Sequence, residues 1–361
     1  MLLDPVTWEL VPRIETVLAA SVGSELQPRI SSELMQSVLE ITTSVCASPA
    51  EIGEQLGRLR RYVSHVGAAD GFRFASVGTH PFSRFESQLV TESARYRAMV
   101  EEFQLIARQQ LIFGLHIHAA VDNPEKAIQV VDGVSLHAAE FLALSANSPF
   151  WQGKPTGLSS CRQMIFSALP RTGMPPRLQS YEEYAEIVGE LEASGCIPDY
   201  TRIWWDVRPH PRLGTVELRI CDAVTRVEDA VALAAYFQAL VKLLCEQVES
   251  GARARSFHRI LTTENKWLAA RHGLRAELID LARGHGRRIP VSELIRRTLR
   301  ELEPHARELR SERELEGIAE ILARGNGADA QLRLWEAGAN PAAIVRELAD
   351  ASEVSAGALA S

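Results

Sequence analysis

Four short stretches carry side chains whose type and spacing suit chemistry. In Gly114-Leu115-His116-Ile117-His118-Ala119 two histidines flank one residue. On a strand both imidazoles project from one face while Leu115, Ile117 and Ala119 take the other, which aligns two metal or phosphate ligands. A pair of hydrogen-bonded histidines on a half-exposed sheet has the same pattern. In Thr215-Val216-Glu217-Leu218-Arg219-Ile220 the polar residues again share a face, and Asp222 closes the segment. A carboxylate beside a guanidinium can bind a cation and an anion in adjacent subsites, or form an ion pair on a solvated face. Asp206 and Arg208, in Trp204-Trp205-Asp206-Val207-Arg208, repeat that spacing and are expected to share a face. Glu33 and Glu40 stand two helical turns apart, so a helix would put both on one side and a bent strand would not; exposed glutamates also serve solubility alone.

Strands must position these residues. Stretches 72–77, 112–121, 202–208 and 215–221 are rich in β-branched and aromatic residues and bounded by Gly or Pro, as strands are. The last two are joined by Pro209-His210-Pro211-Arg212-Leu213-Gly214, a short connection that favours antiparallel neighbours but excludes a two-residue hairpin. A helix is predicted over 49–66, with Ser48 as N-cap, Pro49 in the first position and Glu51 completing a capping box. Another begins at Asn123-Pro124-Glu125 by the same logic. The turn-rich run 145–153, followed by Ser159, Ser160 and Arg162, either presents amides and hydroxyls to a ligand or simply ends a helix. Neither the P-loop nor the Rossmann glycine pattern occurs.

The expected organisation is an α+β body over 1–250, a helical part over 251–350 packed on the same domain, and a frayed tail over 351–361. Of 361 residues 46% are hydrophobic, enough for a large core. The net charge of -7 leaves no global positive field for nucleic acid or an anionic membrane. Arg283, Arg287, Arg288, Arg296, Arg297 and Arg300 are interspersed with Glu293, Glu301 and Glu303, which reads as a solvated helix face. No uninterrupted apolar run has the length of a membrane span and no signal region follows Met1, so a cytoplasmic protein is expected. The five cysteines are odd in number and lack a C-x-x-C pair, which suggests buried thiols and no disulfide framework.

Taken in order, the segments are similar to the carboxylate–amine ligase family of glutamate–cysteine ligase 2 type, related to the bacterial γ-glutamylcysteine synthetases. The matching residues are Glu40 in 39–43; Gly114 to His118; Leu144 to Trp151; Ser160 and Arg162; 169–173; Trp205 to Pro209; Thr215 to Asp222; and Glu264-Asn265-Lys266-Trp267 with Arg271 to Leu274. The resemblance implies a glutamine-synthetase-like fold, a curved antiparallel sheet whose concave face holds ATP, divalent cations and an amino acid, with helices on the convex side. It also implies ATP-dependent amide formation, in which a carboxylate, glutamate in this family, becomes an acyl phosphate that an amine such as cysteine displaces. Mg²⁺ held by carboxylates, with arginine support, neutralises phosphate charge.

Carried over by residue, Glu40 and Glu217 are implied Mg²⁺ ligands, with Glu33 a further candidate. His116 and His118 are implied nucleotide-phosphate or metal contacts, and Arg208 and Asn265 nucleotide contacts or their supports. Glu217, Arg219 and Arg162 form the implied catalytic set, the arginines contacting phosphate or the substrate carboxylate. Homo-oligomerisation is a further implication. The family opens with a Gly-x-Glu-Glu-Glu strand, whereas Met1-Leu2-Leu3-Asp4-Pro5 resembles the turn after it. A catalytically impaired relative serving as a nucleotide-binding or assembly module is therefore the alternative expectation. A metal-dependent hydrolase using His-x-His and Glu217 is a third.

Overall fold

A computed structural model describes residues 1–251, 258–281 and 286–358. The first third holds β1 (Leu2–Leu3), α1 (Ile14–Ser21), β2 (Ile30–Ser32), β3 (Leu39–Ile41), α2 (Pro49–Asp70), β4 (Arg73–Phe74), α3 (Ala94–Phe103), α4 (Leu105–Arg108) and β5 (Ile117–Ala120). Then come α5 (Pro124–Ser145), β6 (Phe150–Trp151), β7 (Lys154–Pro155), α6 (Cys161–Phe166), β8 (Thr172–Gly173), α7 (Tyr181–Ala193), β9 (Trp204–Trp205), β10 (Val207–His210) and β11 (Thr215–Leu218). The last part is α8 (Val227–Glu249), α9 (Arg259–His272), β12 (Glu277–Ile279), β13 (Arg288–Pro290), α10 (Val291–Leu309), α11 (Glu312–Arg324), α12 (Gly327–Glu336) and α13 (Pro341–Ala358).

The strands that matter form an antiparallel sheet in the order β10, β11, β5. Its register sets Arg208 opposite Glu217 and Glu217 opposite His118. One face turns Ile117, Ala119, Val207, Val216 and Leu218 onto the apolar residues of α5 and α8, forming the main core. Burial of these side chains leaves the other face free to be polar, which is the alternation of a sheet packed on one side. β8 and β9 add a short parallel pair, so the pairing is not wholly antiparallel.

Local chemistry explains the elements. Ser48 Oγ accepts from Glu51 N at 3.3 Å, Pro49 occupies the first turn, and α2 continues past the expected 66 until Gly71 closes it at φ 72°. Glu51 reaches back to Ala47 N and not to Ser48 N. Asn123 Oδ1 accepts from Glu125 N and Lys126 N at 2.8 and 3.2 Å and starts α5. Both α5 and α8 are long and apolar enough to cross a bilayer by composition, and both lie inside the main core against the sheet.

The strands are shorter than the sequence predicts. β4 covers only Arg73–Phe74 of 72–77. From 112 to 116 isolated pairings, Thr79 with Ile112 and Gly114 with Asp222, replace a continuous ladder. The cause lies in Arg162, whose Nη1 and Nη2 donate to the carbonyls of Ile220 and Arg219 at 3.1 and 3.3 Å. Those carbonyls are thereby withdrawn from strand pairing, and β11 stops at Leu218.

The helices after 250 pack α11 and α10 on α8, and α9 on α5, so they share the core of the sheet-bearing body. Residues 351–358, expected to fray, continue α13, whose docking is held by Ser76 N donating to Ser352 Oγ at 3.0 Å and by Arg73 bonded to Glu353. Within the arginine run, Arg297 pairs with buried Asp280 at 3.1 Å, Arg288 Nε donates to Glu277 O, and Arg283 lies outside the described residues.

Candidate active site

Side chains of alternate residues on β10, β11 and β5 meet on the polar face. Glu217, 2% exposed, is the hub. Its Oε2 accepts from Arg208 Nε and Nη2 at 2.9 and 2.8 Å, and its Oε1 lies 2.7 Å from Arg219 Nη2. His118 Nε2 stands 3.7 Å from the same carboxylate, and Arg219 Nη1 lies 3.1 Å from His116 Nε2. His116 and His118 remain open to solvent while protein surrounds them on the other sides, so the face is the floor of a cleft. Arg219 and His116 sit one residue outside their strands, yet their side chains still converge on Glu217.

Charge in this cleft is tightly coupled. Burial alone would raise the Glu217 carboxyl, but its cationic neighbours, Arg219 first and also Arg208, outweigh it and hold the group well below the usual carboxylate range. Burial pushes Arg219 down to about 10 despite Glu217. Crowding by protein, then the neighbouring Arg219 guanidinium, keeps the His116 imidazole neutral, and His118 and His210 are likewise lowered, chiefly by burial. The cleft thus presents guanidinium and neutral imidazole, a set suited to binding anions.

Glu33 and Glu40 come together by a route the spacing did not suggest. β2 and β3 form an antiparallel hairpin in which Ser31 faces Glu40, which puts Glu33 diagonally across on the same side. Ser31 Oγ donates to Glu40 Oε2 at 3.2 Å. Burial first, and then the charge of Glu40, raise the Glu33 carboxyl, while Arg95 and Arg219 draw it down. A repelling, half-buried carboxylate pair fits two oxygen ligands of a Mg²⁺ ion. Glu217 does not join them as arranged, since Arg208 and Arg219 occupy its two oxygens. Among the described residues no group of three or more His, Cys, Asp and Glu is placed to hold a metal.

Three expected site residues lie elsewhere. Arg162 is 3% exposed and sits beneath the face, with its guanidinium bound to backbone carbonyls and 3.8 Å from Asp222. It holds the end of β11, and with it Arg219, so it positions and does not touch a ligand from there. A Cβ at Gly114 would come within 2.3 Å of its Nη2, which is why glycine stands there. Asn265 donates Nδ2 to Ile279 O at 3.0 Å and accepts from Ile279 N at 2.7 Å, which fastens α9 to β12. Asp206 does not share a face with Arg208, because the chain bends at 206 between β9 and β10. Its carboxylate meets Lys266 Nζ at 2.7 and 2.9 Å, both groups being buried.

Two features escaped sequence reading. His210 packs its ring 5.3 Å from that of His118, and Tyr200 Oη lies 3.4 Å from His210 Nδ1. The alternation Arg208, His210 could have flagged it, although the flanking prolines hid the strand. The other is a buried hub at Asp222, which accepts from Asn147 N at 2.8 Å, Ser148 Oγ at 2.7 Å and Ser160 Oγ at 2.8 Å. This hub ties the 145–153 loop and the start of α6 to the sheet, and gives that loop a structural reason.

Comparison with known proteins gives this geometry a context. The family model described as glutamate-cysteine ligase family 2 matches residues 1–357. A Rubrobacter xylanophilus protein named "Putative glutamate--cysteine ligase 2-1" is 44% identical over 93% of this chain and 88% of its own. A like-named Solibacter usitatus protein is 39% identical over 92% and 86%. The crystal structure of a Francisella tularensis glutamate–cysteine ligase in complex with AMP superposes with TM-score 0.63, covering 92% of this chain and 82% of its own at 13% identity, a likeness of fold.

Proposed function

We propose that this chain, which belongs to the glutamate–cysteine ligase family 2, is an ATP-dependent ligase that joins the γ-carboxylate of glutamate to an amine such as cysteine. The observation that carries the reading is the buried Glu217 carboxylate holding two arginines beside two histidines on the open face of the sheet. A glutamine-synthetase-like sheet face is where this chemistry needs cationic groups, since charge builds on the phosphoryl oxygens.

In the first step a glutamate γ-carboxylate oxygen forms a bond to the γ-phosphorus of ATP and ADP leaves. In the second the amine forms the C–N bond, loses a proton, and inorganic phosphate leaves with the carboxylate oxygen. Arg219 and Arg208 bind and orient the anionic reactants, and Glu217 holds both guanidinium groups in fixed directions so that little reorganisation is needed. Neutral His116, 3.1 Å from Arg219, is a hydrogen-bond partner for a phosphate oxygen. Arg162 acts as a positioning residue through the backbone of Arg219. Mg²⁺, when bound, would neutralise phosphate charge, with Glu33 and Glu40 as its protein ligands.

Steady-state ADP release with ATP, Mg²⁺, glutamate and cysteine tests the reading. Wild type should turn over and Arg219→Met should lose at least ~100-fold in kcat/KM, the scale of one lost electrostatic contact to a developing anion. Equal rates in the two would refute the assignment of the face. Nucleotide binding without turnover in the wild type would favour the nucleotide-binding module instead.

A further inference from the structure

A cavity of about 460 Å³ lies among the start of α8, α12 and α13, and none of its lining residues belongs to the sheet face. Its size is within the range of small-molecule sites. Leu144, Leu334, Leu348 and Ala351 give it an apolar wall. Three of its charged lining residues are paired, Arg324 with Asp229 and, at 3.6 Å, Arg226 with Glu228. The side chains of Arg333 and Glu347, from α12 and α13, also line it and have no ion-pair or hydrogen-bond partner among the described residues. Gln331, 1% exposed, gives Nε2 to Asn147 Oδ1 at 2.8 Å and leaves Oε1 without a partner.

An unpaired cation and an unpaired anion over one apolar wall define a complementary ligand. We propose that this cavity is a second ligand site for a zwitterionic amphipathic molecule of the size of an apolar α-amino acid. Its carboxylate pairs with Arg333, its ammonium with Glu347, and its side chain lies against the leucines. Both charges are needed, because a molecule carrying one would leave the other residue facing it without a counter-ion.

Calorimetric titration of the full chain with L-leucine and L-phenylalanine as probes tests this, and dependence on Arg333 and Glu347 separates the cavity from any amino-acid subsite on the sheet face. One equivalent should bind. N-acetyl-L-leucine and L-leucine methyl ester, each lacking one charge, should bind at least ~10-fold more weakly, as should each probe to Arg333→Glu or Glu347→Arg. Both positions are exposed, so these variants fold. The double exchange Arg333→Glu with Glu347→Arg should restore part of the affinity. No binding of either probe, equal binding of the blocked derivatives, or binding indifferent to Arg333 and Glu347 would overturn the proposal. Since the sheet face is left untouched, these outcomes are independent of whether the chain turns over ATP.

Discussion

Replacing Glu217 by Gln keeps the shape of the side chain and removes one charge. In the folded protein this leaves Arg208, 5% exposed, and Arg219, 14% exposed, facing each other without the carboxylate that separates them. Removing one partner of a buried ion pair costs about 3–5 kcal/mol because the remaining charge stays desolvated. Two guanidiniums share the loss here, while the half-open cleft lets water reach Arg219, so a value near the low end, about 3 kcal/mol, is expected. Urea unfolding followed by tryptophan fluorescence and by circular dichroism reads this as a lower midpoint at unchanged slope. The pH dependence supplies a second signature. The folded Glu217 carboxyl titrates below its unfolded value of ~4.3, so its contribution is complete above that pH and is lost as pH falls toward the folded value. The gap between wild type and Glu217→Gln should therefore be constant from pH 8 to 5 and shrink below pH 4. The half-exposed Glu40, given the same substitution, should change stability by less than ~0.5 kcal/mol. A Glu217→Gln midpoint within ~1 kcal/mol of wild type would refute the claim that this carboxylate is what holds the arginines.

Lys266→Met leaves Asp206 buried without its partner and should cost about 3–5 kcal/mol, whereas Asp206→Leu combined with Lys266→Met should recover most of it; thermal unfolding of the single and double variants decides. Gly114→Ala sets a methyl against the Arg162 guanidinium, and ADP release should fall at least ~10-fold while the fold is retained, since a misplaced Arg219 acts on the reaction more than on packing. Equal activity would show that Arg162 can shift freely. Burial pushes His80 down to about 3, with its Nε2 bonded to Trp8 O at 2.9 Å and its Nδ1 accepting from Phe82 N and Ser83 N. Its folded value lies below the unfolded ~6.5, so stability is full above that pH and declines as pH falls toward 3, by at most ~1.4 kcal/mol per unit. His80→Gln should flatten that decline in a pH series of urea midpoints.

How far the sequence could be read follows from the range of each interaction. Alternation within 215–220 placed Glu217 and Arg219 together, because neighbours on one strand are fixed by local geometry. The same logic placed His116 with His118. What it could not supply is register. That Glu217 lies opposite both His118 and Arg208 depends on two strand pairings, one bridging nearly a hundred residues. Asp206 failed for a local reason, since a bend after Trp205 breaks the period and turns its carboxylate to Lys266. Glu33 and Glu40 met through a hairpin, although the spacing put them on one side only for a helix and not for a bent strand. Arg162 and Asn265 carry groups that suit a nucleotide, and nothing in their spacing tells that backbone carbonyls and amides already satisfy them.

The central claim is that the sheet face turns a carboxylate into an acyl phosphate. Transfer of isotope tests it directly. With glutamate carrying ¹⁸O in its γ-carboxylate, ATP, Mg²⁺ and cysteine, the phosphate released by the wild-type chain should contain one ¹⁸O for each amide bond formed, and Arg219→Met should release little phosphate of either kind. Phosphate free of ¹⁸O, formed at the same rate with or without glutamate, would contradict the account and leave the face with hydrolysis of ATP alone.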